Sequence, residues 1–410
     1  MNNMHYKNLI KKQIEGFGLD SPFYSDQELY SYDFDAIFLT HWIIAGHTSQ
    51  LQLGSYFSVD IGKESILLSM DKSGDIYAHF NVCRHRGCSL SSNNLTVSNK
   101  IVCPYHSWQY SLDGELKHAT GMPESFDIKK HGLKKCGVKV FEGLIFINMK
   151  DKVDTDFEQA LKDAKYFLEP LCISQTKIAA SKKWDVNANW KLLVENFEEC
   201  YHCAAIHPEY SSVMAHAKAE STGSKKMLEK WEADRKLWDL ELKKKGLPFG
   251  WINPNKKNLH FCARVPFKKG MLTQSLNGKL VSKLLGKLNS SDGGSTSFRL
   301  YPTSFMICCP DHLIIIKFYP VGPTKTLVVA DWLVASNAIE GIDYNTKDLT
   351  ALWAVTIEQD NTAVELTQSR VASIAYQAGP FSESEEYSSI FVSWYLSKLQ
   401  EHIESIPLEN

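Results

Sequence analysis

The feature that most restricts this chain is a pair of short loops, Cys83-Arg84-His85-Arg86-Gly87-Cys88 and Cys103-Pro104-Tyr105-His106-Ser107-Trp108. Each offers one thiol and one imidazole, first as C-x-H and then as C-x-x-H. Two Cys and two His can hold zinc, but structural zinc sites usually group Cys with Cys and His with His. A [2Fe–2S] cluster with two thiolates on one iron and two imidazoles on the other needs one of each per loop. Neutral imidazoles in place of anionic thiolates also raise the reduction potential. Cys83, His85, Cys103 and His106 are the expected ligands of such a cluster, clamped from two sides by similar loops.

The flanking sequence fits a small all-β module. From Trp42 to Asn148 the chain runs in short alternating stretches, and Tyr56 to Ile61 and Ser65 to Met70 read as strands. Ser73-Gly74 and Asp113-Gly114 mark hairpins, because glycine takes positive φ at little steric cost. Residues 1–40 are polar and aromatic and predict a short helix and a lead-in segment. Beyond Asp151 the pattern becomes mixed. Helices are expected over Phe157–Leu168, from Trp190 to about Ile206, on the surface across 224–246, and last over Asp348–Arg370. Strands are expected over Ser297–Cys309, Leu313–Tyr319 and Thr326–Ala335, with a further hairpin at Asn277-Gly278 and a flexible loop at 290–295. Hairpins rather than regular βαβ units make the second domain α+β. The domains are read as an N-terminal segment, 1–40, an all-β cluster domain, 41–150, and a catalytic domain, 151–410, with a large antiparallel sheet flanked by helices.

Composition closes other routes. Lys and Arg total 45 against 47 Asp and Glu, a net charge of −2, which gives no electrostatic case for nucleic acid or an anionic membrane. Charges at Lys7, Lys11 and Lys12 interrupt any signal-peptide apolar run, and the longest apolar runs, such as Leu313–Ile316, are too short to span a bilayer. A cytoplasmic protein is expected, its ten cysteines buried thiols or metal ligands rather than disulfides.

A second constellation runs from Asn196 through Glu198-Glu199-Cys200-Tyr201-His202 to His207-Pro208. On an ideal helix, residues five apart point about 140° apart, so His202 and His207 would not converge. Pro208 disfavours α geometry at His207, and a break there would let both imidazoles turn toward one metal. Completing a two-His-one-carboxylate triad, which leaves open positions for O₂ on Fe(II), requires a carboxylate. Asp360 is the candidate, with Glu358 its local competitor. No G-x-G-x-x-G fingerprint for a nicotinamide or flavin is evident, so electrons are expected from a separate reductase.

Together the two motifs resemble the Rieske non-haem iron oxygenases, α subunit, from Trp42 onward. In respiratory Rieske proteins a Cys at the Cys88 position pairs with a Cys just before the second His; here Tyr105 stands there, so the resemblance is to the oxygenase type, with Cys88 a packed thiol. Ser107 departs from the family's usual Gly. The resemblance implies a [2Fe–2S] Rieske cluster on Cys83, His85, Cys103 and His106, and a mononuclear non-haem Fe(II) on His202, His207 and Asp360. It implies a homotrimer in which one subunit's cluster faces its neighbour's iron, bridged by Glu199, with Glu198 a possible substitute and Asn196 beside the iron. Within the family, Glu199-Cys200-Tyr201-His202-Cys203, Ser275 to Lys279, Cys309 to His312 and Tyr319 to Thr324 look like the group acting on quaternary ammonium compounds, which includes glycine betaine, carnitine and choline monooxygenases and stachydrine demethylase.

The implied reaction is hydroxylation of an N-methyl group, with glycine betaine going to dimethylglycine and formaldehyde as the leading case. O₂ and electrons from an NAD(P)H-dependent flavin/iron–sulfur reductase are consumed. A cationic substrate favours an aromatic cage, for which Phe197, Tyr201, Phe249, Trp251, Phe305 and Trp353 are possible walls. The alternatives are an aromatic-ring-hydroxylating oxygenase and a Rieske electron carrier without catalytic iron; the 250-odd residues after the β module argue against the carrier.

Overall fold

The computed structural model describes residues 3–151, 155–255, 257, 259–300 and 303–406. The chain forms two compact units, one of 38–153 and one joining 1–37 to 154–410.

Among the described residues the smaller unit holds ten strands. A three-stranded sheet has the order β1-β10-β9, from β1 (Ile43–His47), β9 (Gly137–Phe141) and β10 (Leu144–Asn148). A four-stranded sheet is ordered β4-β3-β2-β5, from β2 (Ser55–Ile61), β3 (Glu64–Met70), β4 (Ile76–Phe80) and β5 (Thr96–Val97). The third sheet is β6 (Ile101–Val102), β7 (Gln109–Tyr110) and β8 (Leu116–His118). The two expected hairpins form, with Gly74 at φ +90° and Gly114 at φ +87°. Leu67, Ile101, Trp108, Tyr110 and Leu133 pack around Cys83 and Cys103, so the two thiols belong to the module's own core.

The larger unit is built on a seven-stranded, fully antiparallel sheet ordered β11-β17-β16-β15-β14-β13-β12. Its strands are β11 (Thr176–Val186), β12 (Trp251–Ile252), β13 (Phe261–Pro266), β14 (Gly294–Leu300), β15 (Ser304–Cys308), β16 (Leu313–Gly322) and β17 (Lys325–Ala335). Three N-terminal helices belong to this unit, α1 (Asn3–Lys12), α2 (Pro22–Ser25) and α3 (Gln27–Asp33). After them come α4 (Thr155–Leu168), α5 (Trp190–Phe197), α6 (Cys203–Ile206), α7 (Pro208–Val213), α8 (Ala217–Thr222), α9 (Lys225–Lys244), α10 (Thr346–Val371) and α11 (Glu386–Ser405). Asp33 ties α3 into this unit: it pairs with the buried Lys191 of α5 and accepts hydrogen bonds from Trp190 Nε1 (3.1 Å) and from Tyr395 of α11 (2.7 Å).

Four sequence expectations are corrected. The helix from Trp190 stops at Phe197 instead of reaching Ile206, because the Glu199 carboxylate takes the amides of Tyr201 and His202. The stretch Ser297–Cys309 is two strands, β14 and β15, paired antiparallel with Leu300 opposite Ser304. Asn277-Gly278 turns the chain without flanking strands, with Gly278 at φ +67° and its carbonyl accepting from Leu272 N. The helix over Asp348–Arg370 is not the last, since α11 follows and buries Phe391, Trp394 and Tyr395.

Candidate metal centres and active-site cavity

In the smaller unit the two Cys/His loops share one hydrogen-bond pattern. Cys83 N donates to Cys88 O (2.8 Å) and Gly87 N to Cys83 O (3.0 Å); Cys103 N donates to Trp108 O (2.8 Å) and Ser107 N to Cys103 O (3.0 Å). The fourth residue after each Cys has positive φ: +75° at Gly87 and +57° at Ser107. Ser107 therefore holds a left-handed turn that favours glycine. The Cys83 and Cys103 thiols are buried, whereas His106 is exposed and His85 half-buried. The two Nδ1 atoms stand 3.1 Å apart, and His85 stacks on Trp108. Two buried thiols below two outward imidazoles match a cluster whose inner iron takes sulfur and whose outer iron takes nitrogen. The Tyr110 hydroxyl lies 3.3 Å from Cys83 Sγ and accepts from Arg84 N. Cys88 is partly buried against this core and forms no disulfide among the described residues.

In the larger unit, His202, His207 and Asp360 come together from three elements. Each offers one atom, and the three atoms lie within 4.8 Å of one another. His202 precedes α6, and His207 sits between α6 and α7 with φ −118° and ψ 70°, the non-helical geometry Pro208 imposes. Asp360 is the 15th residue of α10, on the buried stripe of Leu349, Trp353, Thr356, Ile357 and Val364. Asn345 caps that helix by accepting from Lys347 N and Asp348 N. Asp360 Oδ1 lies 2.9 Å from His207 Nε2 and 3.4 Å from His202 Nε2, and accepts from Asn196 Nδ2 at 2.7 Å.

The other ring nitrogens are also held. His202 Nδ1 is 2.5 Å from Glu199 Oε1, and His207 Nδ1 is 2.8 Å from Gln359 Oε1. Gln359 in turn donates to Glu209. This outer shell leaves both Nε2 atoms facing Asp360, the orientation a metal-ligating imidazole requires. Burial on its own lowers the His202 pKa, but Asp360 and Glu199 outweigh it and raise it to about 9. Burial likewise raises Asp360, and the two histidines more than reverse this, holding it below the usual carboxylate range.

Two competitors for these positions are occupied elsewhere. Glu358 is exposed and accepts from Trp184 Nε1. Glu198 is buried in an ion pair with Arg299 of β14. Gln359, Glu209 and Arg299 were not singled out from sequence; for Gln359 the available signal was its place beside Asp360. Two cysteines depart from the general expectation of buried thiols or metal ligands over disulfides. Cys200 and Cys203 are joined, because the turn that follows α5 brings their Cα atoms to 4.9 Å.

A cavity of about 760 Å³ opens on His202, His207 and Asp360. Its floor is one face of the sheet: Phe261, Arg299 and Phe305 are opposite one another on adjacent strands, as are Trp251, Ala263, Ser297 and Ile307. Phe197, Tyr201 and Trp353 also line it, and Phe249 does not. Trp231, within the stretch expected as a surface helix, adds a ring parallel to Trp251, 6.4 Å away. Glu198, Glu199 and Asp360 face the cavity from the ligand-bearing elements, and Glu220, Glu232, Glu383 and Glu386 from the rest of its wall. Arg299 is the one lysine or arginine among its lining residues.

Both units match known families over the segments that carry these sites. Residues 41–141 match the Rieske [2Fe-2S] domain, and residues 174–401 match the catalytic domain of the ring-hydroxylating α subunit. The chain belongs to the Rieske non-haem iron oxygenases, α subunit: it is an oxidoreductase whose cofactors are a [2Fe–2S] cluster and a mononuclear iron. It is 34% identical to the glycine betaine monooxygenase oxygenase subunit of Pseudomonas aeruginosa over 397 residues, covering 95% of this chain and 91% of that one. The carnitine monooxygenase oxygenase subunit of Acinetobacter baumannii is 36% identical over 194 residues, 46% of this chain and 52% of that one. A solved quaternary ammonium Rieske monooxygenase shares the fold with a TM-score of 0.73 at 22% identity, covering 95% of this chain and 97% of that one. No described helix is long and apolar enough to cross a membrane.

Proposed function

We propose that this chain is the oxygenase component of a monooxygenase that hydroxylates an N-methyl group of a quaternary ammonium compound, with glycine betaine as substrate. The carrying observation is the cavity itself: beside the His202/His207/Asp360 set it is lined by Glu220, Glu232, Glu383 and Glu386 and by aromatic rings, and its one lysine or arginine, Arg299, is already paired with Glu198. Carboxylates attract a cation into a low-dielectric site, and aromatic faces hold one that has no N–H to donate. The similarity to glycine betaine and carnitine monooxygenase oxygenase subunits supports the same reading.

In this reading Cys83, His85, Cys103 and His106 hold the cluster, and His202, His207 and Asp360 hold the iron. When bound, these groups supply single electrons and the activation of O₂ for C–H hydroxylation. The chain's own residues orient and exclude. Glu199 and Gln359 fix the two imidazoles through Nδ1, and Asn196 holds Asp360 Oδ1. Phe197, Phe305 and Trp353 keep water from the N-methyl carbon. A quaternary nitrogen has no lone pair, so oxidation begins at carbon; the resulting N–CH₂OH cation loses a proton and formaldehyde and leaves the tertiary amine. Electrons reach the cluster from a separate NAD(P)H-dependent flavin/iron–sulfur reductase. In a homotrimer Glu199 would bridge the residues that hold one subunit's cluster and those that hold the next subunit's iron, an arrangement that inter-subunit electron transfer in the related quaternary ammonium monooxygenase supports.

The test is a panel of glycine betaine, carnitine, choline, proline betaine and benzoate, with a surrogate reductase, scored for formaldehyde and NADH consumed. Formaldehyde equimolar with NADH from glycine betaine is expected. Ring hydroxylation of benzoate without formaldehyde from any quaternary amine would instead support the aromatic-ring reading.

A further inference from the structure

A cluster of potential metal ligands outside the His202/His207/Asp360 set lies in the same cavity wall. The Cys200 sulfur, a ring nitrogen of His216 and a carboxylate oxygen of Glu220 lie within 4.8 Å of one another. His216 and Glu220 are brought there by α8, whose Ser221 hydroxyl donates to Cys200 O and accepts from Ala204 N, at 2.8 Å each. The placement is therefore built, with short bonds tying α8 to the Cys200–Ala204 turn. His216 is 9% exposed, and its Nδ1 is buried with no hydrogen-bond partner among the described residues. Its Nε2 stands 3.4 Å from the Tyr210 hydroxyl. A buried imidazole nitrogen without a partner is a group whose burial calls for a proton donor, a proton acceptor or a metal.

We infer that Cys200, His216 and Glu220 form a second divalent-cation site, open when the Cys200–Cys203 disulfide is reduced and closed when it is formed. Thiolate, imidazole and carboxylate are the donor set of a zinc-class cation, and three protein ligands leave a fourth position to water. In a tetrahedral site with bonds of about 2.0–2.3 Å the ligand atoms stand about 3.3–3.8 Å apart, so the cluster closes onto the ion by a small movement. In the described state the Cys200 sulfur is bonded to Cys203 and unavailable as a thiolate. A dithiol reductant exchanges with that bond: the protein disulfide becomes two thiols while the reductant becomes a cyclic disulfide. The Cys200 thiol then gives up its proton as the metal–sulfur bond forms. This site does not depend on the identity of the organic substrate.

Cobalt(II) is the probe, because thiolate-to-cobalt charge transfer marks sulfur ligation and the His202/His207/Asp360 set has no sulfur. The holoenzyme, its cluster verified by visible absorption, is reduced with dithiothreitol, desalted under nitrogen and titrated with Co²⁺. The reduced wild type and Cys203→Ser are expected to take up one equivalent per chain with a charge-transfer band. The disulfide form, Cys200→Ser and His216→Gln are expected to lack the band. Absence of the band from reduced wild type with Cys200 and Cys203 shown free by alkylation mapping would overturn the site. So would persistence of the band in both Cys200→Ser and His216→Gln.

Discussion

The two metal centres are built by opposite means. The cluster loops each carry their Cys and His within four residues, and each loop closes on its own amide bonds. The proposed iron set draws His202 and His207 from a broken helix and Asp360 from a helix 153 residues beyond His207. A centre made from local turns depends on backbone conformations that small changes tune. A centre made across elements depends on the packing and buried charges that keep the elements in register.

The largest effect expected from this contrast is loss of one centre without the other. His202→Ala should release the mononuclear iron, shown by iron quantitation per chain, and abolish turnover while the cluster's visible absorption persists. Loss of cluster iron in that variant would show that the two centres fold as one. Second, Glu198→Ala leaves Arg299 buried without its carboxylate, and should destabilise the larger unit by ~3–5 kcal/mol in denaturant unfolding. An effect below 1 kcal/mol would mean that the register of β14 with the iron-bearing segment needs no charge pair.

Third, metal binding requires a neutral imidazole, and the iron-free His202 holds its proton up to about pH 9. Below that pH, iron must displace a proton, so apo-protein affinity for Fe(II) should weaken by up to tenfold per pH unit as pH falls. A flat profile between pH 7 and 8.5 would remove His202 as the competing proton site. Fourth, Tyr110→Phe removes the hydroxyl beside Cys83 Sγ, and the cluster potential should fall by tens of millivolts, on the order of a one-electron shift from one ~1 kcal/mol hydrogen bond. An unchanged potential by redox titration would show that Tyr110 serves only the Arg84 amide. The smallest effect is expected at Ser107→Gly, which should stabilise the smaller unit by ~1 kcal/mol through relief of the positive φ.

The same contrast governs what could be read in the sequence. The two Cys/His loops proposed to hold the cluster stood out because each spells its donors at short spacing. The break at His207 was legible because Pro208 restricts the residue before it. The early end of α5 was not, because it depends on the Glu199 carboxylate capturing two amides, a choice that helical spacing does not reveal. The Trp231 wall was not legible because α9, a surface helix as expected, turns its two tryptophans, Trp231 and Trp238, inward among solvated charges while Leu237 and Leu240 stay exposed.

By itself the sequence determined the kinds of centre present, since the donor types and their local spacing select iron–sulfur chemistry in one unit and a two-histidine metal site in the other. Only the tertiary structure decided which carboxylates serve which purpose. Glu198 and Glu199 are neighbours of the same type, yet one is buried against Arg299 on a distant strand and the other meets His202. Asp360 and Glu358 share one helix, yet only Asp360 faces the histidines. A carboxylate's role is set by which charge or imidazole is packed against it, and those partners lie many residues away along the chain.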